Sequence, residues 1–175
     1  MVRVRRDKGR GRPANATLMK RFAAAVLITL FAVSLAGAAE RVPAKPGPRD
    51  KCPVCGMFVA KYPDFIASAV FRDGAVFHFD GVKDLMKFYF RLERYSPGRK
   101  QADIAAFWVT DYYRMSLIDG RRAHYVIGSD VYGPMGKELI PFERKAEAEE
   151  FLRDHRGDRI IPFDAITPDL IRRLD

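Results

Sequence analysis

The chain has 175 residues, of which 48% are hydrophobic, 30% charged and 12% aromatic. This composition excludes a disordered or collagen-like protein and is typical of a globular protein of one domain or two small ones. The 2 cysteines are too few for a small disulfide-framed domain, and a chain of this length buries an adequate core without such cross-links.

The formal net charge of +9 is concentrated at the N-terminus. Residues 1–39 hold 8 Lys or Arg against 1 Asp or Glu, which leaves 23 against 21 for residues 40–175. In that body, basic and acidic residues are interspersed, whereas nucleic-acid binding requires a basic cluster. The charge pattern therefore argues against a nucleic-acid partner.

Residues 1–39 are typical of an export signal, because a basic stretch is followed by an apolar run over residues 22–36 and then by small residues. The small residues predict cleavage before Ala39 or Glu40. An uncleaved anchor is the alternative, since the apolar segment approaches the length of a membrane-spanning helix. We expect a periplasmic or otherwise exported protein, either free or tethered to the membrane through this segment.

Residues 40–50 contain three prolines and three basic residues, which predicts a stiff polar tether rather than a packed element. The folded domain is expected over residues 51–175. No Cys directly follows the apolar run, so a lipid-modified N-terminal Cys is not predicted.

The first half of the domain has the pattern of two strands, a helix and a further strand. Asp73-Gly74 predicts a tight hairpin turn between the first two strands. Apolar residues then recur with helical spacing until Ser-Pro-Gly at residues 96–98 ends the helix. The predicted elements are strands over residues 65–71 and 75–79, a helix over 82–92 and a strand over 105–109.

The second half repeats the order of strand and helix. Asp119-Gly120 predicts a second hairpin, and Thr167 followed by Pro168 predicts the start of a last helix. The predicted elements are strands over residues 113–118, 123–127, 139–142 and 159–163, with helices over 143–155 and 168–174. The chain is therefore expected to be an α+β protein. The strand-to-helix junctions Phe79-Asp80 and Phe142-Glu143 occupy matching places, which suggests an internal duplication.

Three sulfur donors lie within six residues, in Cys52-Pro53-Val54-Cys55-Gly56-Met57. Thiolate and thioether ligands suit Cu(I) far better than they suit Mg²⁺ or Ca²⁺. Gly56 permits a tight turn that aims Cys55 and Met57 at one point. We interpret this segment as a candidate copper site.

Three other interpretations of Cys52 and Cys55 stay open. A structural zinc site needs about four donors, and the sequence shows neither a second Cys pair nor a His pair. A thioredoxin-like redox motif would start a helix after a strand, whereas this motif follows the proline-rich tether. A disulfide between the two thiols closes a loop so short that it stabilises little.

No catalytic arrangement is evident, because the Gly-x-Ser-x-Gly element is missing, although a Cys nucleophile with a distant His partner stays possible. We do not expect an enzyme. His78, His124 and His155 are expected in structural or surface roles rather than as ligands. Met86 and Met115 are expected to pack rather than bind metal.

The order of five motifs resembles the NosL family of nitrous oxide reductase accessory proteins. The resemblance spans about residues 51–167. The motifs are Cys52-Pro53-Val54-Cys55-Gly56-Met57, then Phe77-His78-Phe79-Asp80, then Val109-Thr110-Asp111-Tyr112, then Tyr125-Val126-Ile127-Gly128-Ser129-Asp130 with Pro134-Met135-Gly136, and Glu138-Leu139-Ile140-Pro141-Phe142.

This resemblance implies an exported copper chaperone that delivers Cu(I) for the copper-sulfur centre of nitrous oxide reductase. It also implies a domain of two similar ββαβ-type halves. Carried over by position, the copper ligands are Cys55, Met57 and Met135. Cys52 is a further candidate ligand and groups the chain with the Cys-x-x-Cys-Gly-Met branch of the family. The alternative function is a thiol-disulfide oxidoreductase that uses Cys52 and Cys55, for which thioether residues would have no purpose.

Overall fold

The computed structural model describes residues 42–175, and the predicted export signal lies outside these residues. Within residues 42–175, none of the helices combines the length and the hydrophobicity that crossing a membrane requires. The segment predicted as a tether lies against the first half of the domain. Its residues Val42, Pro43 and Pro46 line a cavity together with Ile66 and Leu117.

The first half contains the elements β1 (Ala67–Phe71), β2 (Val76–Phe79), α1 (Val82–Phe90), α2 (Leu92–Tyr95), β3 (Ile104–Thr110) and β4 (Leu117–Asp119). Its strands form a four-stranded antiparallel sheet of order β2-β1-β3-β4. As predicted, Asp73-Gly74 forms the β1–β2 turn: the Asp73 carboxylate accepts the N–H of Ala75, and Gly74 has a φ of 87°.

The second half contains the elements β5 (His124–Ile127), β6 (Tyr132–Gly133), β7 (Gly136–Lys137), β8 (Ile140–Phe142), α3 (Lys145–Asp154), β9 (Arg159–Pro162) and α4 (Pro168–Arg173). Its strands form a three-stranded antiparallel sheet of order β8-β5-β9 and a separate two-stranded hairpin, β6–β7. The Thr167 hydroxyl accepts the Leu170 N–H and Pro168 opens the last helix, which confirms the predicted N-cap. Short 3-10 turns occupy Val59–Lys61, Pro63–Phe65, Gln101–Asp103 and Phe163–Ala165.

The two halves share one topology, which confirms the implied architecture. In each, the first strand is central, the second strand pairs on one side, a helix follows, and a third strand pairs on the other side. Each half also has a buried carboxylate that accepts a backbone N–H of the other half near the start of a helix. The buried Glu138 carboxylate accepts the Lys83 N–H in the first turn of α1, and the buried Asp111 carboxylate accepts the Glu143 N–H just before α3.

The predicted hairpin over Asp119-Gly120 was wrong. Strand β4 pairs with β3, whereas β5 pairs with β8 and β9, so the chain crosses from one sheet to the other at Gly120. The Gly120 N–H donates to the Phe107 carbonyl at 2.7 Å, and a Cβ at Gly120 would lie 3.1 Å from that of Phe107. Gly120 therefore does not form a hairpin turn. Its missing side chain allows the backbone to pass close to Phe107 in β3.

Two boundaries also differ from the sequence prediction. The predicted strand over residues 113–118 starts only at Leu117, because the Asp111 carboxylate accepts the N–H groups of Tyr113 and Arg114 in a turn and Met115 has a φ of 56°. The predicted helix over residues 82–92 is interrupted at Arg91, after which Leu92 turns into the core.

The main core joins both halves of the domain, and the buried side chains of Phe71, Phe107, Tyr125 and Leu170 all belong to it. A smaller cluster around Phe142 and Phe151 packs α3 against the second sheet. At the junction after β2, the buried side chains of Phe79, Val82 and Leu85 belong to the main core, which fixes the first turn of α1.

Candidate metal centre

The Cys-x-x-Cys segment is folded back on itself as a closed turn. The Cys52 N–H donates to the Met57 carbonyl and the Gly56 N–H donates to the Cys52 carbonyl, both at 2.8 Å. Gly56 has a φ of 80°, in the left-handed region that favours glycine. The turn buries Cys52 and leaves Cys55 half-buried.

Two buried carboxylates face these thiols from the junction between β2 and α1. Asp80 follows the last residue of β2, and Asp84 lies four residues later in the first helical turn. Carboxylates at a helix N-terminus are favoured by the free N–H groups and the helix dipole. The folding of β2 into α1 therefore presents two acidic groups to the Cys52–Cys55 turn.

The four side chains form one cluster, in which a ligand atom of each lies within 4.8 Å of the others. The Cys55 thiol donates to the Asp80 carboxylate oxygens at 3.2 and 3.3 Å, and the Cys52 thiol donates to Asp84 Oδ2 at 3.4 Å. Asp84 Oδ1 is buried without a hydrogen bond, and the Lys87 ammonium lies 3.7 Å from it as an ion pair. A buried carboxylate oxygen that makes no hydrogen bond is free to accept a bound cation.

Burial controls the protonation of both thiols. Loss of solvent raises the pKa of Cys55 to about 12, against the lowering effect of the Met57 N–H. The deeper burial of Cys52 raises the pKa of its thiol further still. Both thiols are therefore protonated in the metal-free protein near neutral pH, and a metal ion must displace those protons to bind sulfur.

Met135 approaches the cluster from the second half of the chain. It lies in the turn between β6 and β7, next to Gly136 with its φ of 87°, and its side chain is 43% exposed. The Met135 carbonyl accepts a hydrogen bond from Lys83 Nζ at 2.7 Å. Met135, Cys55 and Asp84 line the same open cavity of about 370 Å³.

The remaining residues considered from the sequence lie elsewhere. Met57 is half-buried, and it does not belong to the walls of the cavity that Met135 and Cys55 share. His78 bonds to the Ser68 hydroxyl at 2.8 Å, and burial lowers the pKa of its imidazole. Met86 is buried in the core as expected, whereas Met115 is 50% exposed rather than packed.

Sequence reasoning missed the roles of Asp80 and Asp84. The available signal was the pair of carboxylates at a strand-to-helix junction, with Asp80 just before the N-cap Gly81 and Asp84 in the first helical turn. These two carboxylates also overturn the argument that the chain offers too few donors for a zinc site. Cys52, Cys55, Asp80 and Asp84 supply four donors, the number that a tetrahedral zinc site uses.

Comparison with known proteins decides the family. The model of the family described as NosL matches residues 43–171. The chain belongs to the NosL family. The match contains the Cys52–Cys55 turn, both carboxylates and the Met135 turn.

Two relatives illustrate the family. The chain is 27% identical over 165 residues to the copper-binding lipoprotein NosL of Stutzerimonas stutzeri, with 86% of this chain and 83% of that protein covered. Its fold is similar to the crystal structure of the copper chaperone NosL from Shewanella denitrificans, with a TM-score of 0.63 and 24% sequence identity. That similarity covers 73% of this chain and 97% of the other, and it shows that the α+β fold is the NosL fold.

Proposed function

We propose that this chain is an exported metallochaperone that binds Cu(I) and delivers it for assembly of the copper-sulfur centre of nitrous oxide reductase. The proposed ligands are Cys55, Met57 and Met135, with Cys52 as a further sulfur donor. The observation that carries the proposal is that Cys55 and Met135, from opposite halves of the chain, line one open cavity. The NosL relative from Stutzerimonas stutzeri is named as copper-binding and the one from Shewanella denitrificans as a copper chaperone, which supports the proposal.

The site is suited to both holding and releasing Cu(I). On binding, the Cys55 thiol loses its proton, and Asp80 is the hydrogen-bonded group placed to receive it. Because the pKa of Cys55 is raised to about 12, the apparent Cu(I) affinity increases with pH throughout the neutral range. The exposed, neutral thioether of Met135 is a weaker donor than a second thiolate, which favours release by ligand exchange.

The domain organisation and location belong to the same proposal. Residues 1–39 serve as the export signal or an uncleaved anchor, residues 40–50 as the tether and residues 51–175 as the copper-binding domain. The lipoprotein relative from Stutzerimonas stutzeri supports an exported, membrane-associated location. This chain has no Cys directly after its apolar run, so its own tethering would depend on retention of that run.

A thiol-disulfide oxidoreductase is the second candidate function, favoured by two free thiols within 4.8 Å of each other. The chemistry argues against it. Exchange requires an exposed thiolate, whereas burial raises the pKa of Cys55 to about 12 and covers Cys52. The exposed Met135 at the same cavity has no purpose in that reaction.

A Cu(I) titration of the reduced protein against a chromogenic chelator tests the proposal. We expect one tightly bound Cu(I), and we expect the copper-loaded protein to restore the copper-sulfur centre of copper-free nitrous oxide reductase faster than the Cu(I)–chelator complex does. Met135→Ala separates the two candidates, because it should weaken copper binding yet leave thiol-disulfide exchange unchanged. Rapid reduction of a disulfide substrate together with weak copper binding would favour the oxidoreductase.

A further inference from the structure

The cavity beside Cys55 has a basic rim. Lys87, Arg91, Arg94 and Arg172 contribute four cationic groups to its wall, against the two carboxylates of Asp84 and Asp175. The rest of its wall is mostly apolar, with the side chains of Val54, Phe90, Tyr95, Met135, Pro168 and Ile171.

The charges of Arg91 and Arg94 are not neutralised locally. Lys87 bonds to Asp175 and Arg172 bonds to Asp169. Within residues 42–175, neither Arg91 nor Arg94 has a carboxylate at ion-pair distance, and both are exposed beside the break between α1 and α2. Arg94 only lies over the ring of Tyr95, at 5.7 Å. These two guanidinium groups are therefore free to attract an anion to the cavity.

We propose that this cavity and its rim, the Arg91–Arg94 groove, dock an acidic segment of the protein that exchanges copper with Cys55. The inference rests on the proposed function. Any acceptor ligand must reach the metal through the cavity that Cys55 and Met135 share, and apolar walls with two free guanidinium groups suit a segment that combines apolar and carboxylate side chains.

Charge complementarity favours this occupant over two others. Residues 1–39 of this chain carry 8 Lys or Arg against 1 acidic residue, so their sequence has no charge complementarity to the two guanidinium groups. A second copy would bring an equally basic rim against Arg91 and Arg94. A partner of opposite charge is attracted, and its association is accelerated at low salt.

The test uses two synthetic peptides that share one Met-x-x-Met copper-binding core and differ in flanks of Asp or Lys. Binding to the copper-free protein is followed by fluorescence anisotropy, and Cu(I) transfer from the loaded protein by stopped flow. Wild-type protein should prefer the Asp-flanked peptide by roughly tenfold at low salt, and about 0.5 M salt should remove most of that preference.

The double variant Arg91→Glu/Arg94→Glu should lose the preference. Arg153→Glu/Arg159→Glu is the matched control, because it makes the same change in net charge at exposed positions on α3 and β9 that do not line the groove. This control should keep the preference. Circular dichroism checks that both variants are folded. A preference that survives in the groove variant overturns the docking proposal.

Two further outcomes are distinguishable. If wild-type protein fails to bind Cu(I) in the chelator titration, the proposed function fails, and the docking inference fails with it. If all proteins bind Cu(I) equally but wild-type protein shows no preference for the Asp-flanked peptide, the inference alone fails. A last measurement compares binding of the wild-type protein and the groove variant to vesicles that contain one quarter anionic lipid. If the groove variant loses vesicle binding while its peptide binding is unchanged, the groove is a membrane-binding face and the proposal is overturned.

Discussion

The ammonium group of Lys83 donates a hydrogen bond of 2.7 Å to the backbone carbonyl of Met135. Lys83 is buried in α1, one residue before Asp84, and it also donates to the Leu174 carbonyl at 3.0 Å. Glu138 makes a further contact with Lys83, because its carboxylate accepts the backbone N–H of Lys83 at 2.6 Å. Helix α1 thus holds the β6–β7 turn, and with it Met135, beside Cys55.

We expect Lys83→Leu to weaken Cu(I) binding, because the Met135 turn loses its anchor while the core keeps an apolar side chain that adds no sulfur donor. The variant should lose one sulfur from the copper coordination shell measured by X-ray absorption. Its effect should also be non-additive with Met135→Ala in a double-mutant cycle. Lys145→Leu is the control, since Lys145 is exposed on α3, bonds to Glu149 and does not line the cavity. Fully additive effects would show that Lys83 does not act through Met135.

Met135→Ala should leave the melting temperature nearly unchanged and weaken Cu(I) binding, because the side chain is 43% exposed in a turn. Met86→Ala is the matched comparison: Met86 is 1% exposed, and its truncation should cost about 2 to 5 kcal/mol of unfolding free energy. Melting temperature and Cu(I) affinity are measured on both variants. A large loss of stability in Met135→Ala with copper binding intact would mean that Met135 is merely packed.

Cys55→Ser should abolish tight Cu(I) binding, since Cys55 is the thiol that lines the open cavity. Cys52→Ser should have a milder effect on affinity, because Cys52 is 1% exposed behind it. Oxidation of the two thiols to a disulfide should also prevent binding, since neither sulfur then carries a negative charge. Chelator competition on the reduced, oxidised and substituted proteins measures this. Equal affinity of the oxidised and reduced forms would refute thiolate ligation.

Because the carboxyl group of Glu138 is buried, we expect the free energy of unfolding to decrease as the pH rises. Burial outweighs its two N–H donors and raises the pKa of this carboxyl from 4.5 to about 8. Between these values the folded state keeps a proton that the unfolded state has released. The free energy of unfolding should therefore fall by up to about 1.4 kcal/mol per pH unit in that window.

Urea unfolding between pH 5 and pH 8 measures this slope. Glu138→Gln keeps an oxygen acceptor for the N–H groups of Lys83 and Leu139 but cannot titrate, so its slope should be smaller. Glu150→Gln, at an exposed position on α3, is the control and should behave as wild type. An unchanged slope in Glu138→Gln would assign the pH dependence to other groups.

Local patterns predicted much of the fold because they depend on neighbours in sequence. The Asp73-Gly74 turn and the Thr167 cap were predicted for this reason. Gly120 was misread because its role depends on Phe107, a strand away. At the site, Cys55 was predicted from the sulfur-rich segment and Met135 from the family resemblance. The contacts of Asp80 and Asp84 with the thiols arise only when β2, α1 and the cysteine turn pack together.

The central claim is that sulfur ligands make this a Cu(I) site, although Cys52, Cys55, Asp80 and Asp84 also offer zinc four donors. The most direct test is a competition in which the reduced protein receives equal concentrations of Cu(I) and Zn(II), followed by metal analysis after gel filtration. The account predicts one retained Cu(I) per chain in preference to Zn(II). Equal or tighter retention of zinc would contradict it.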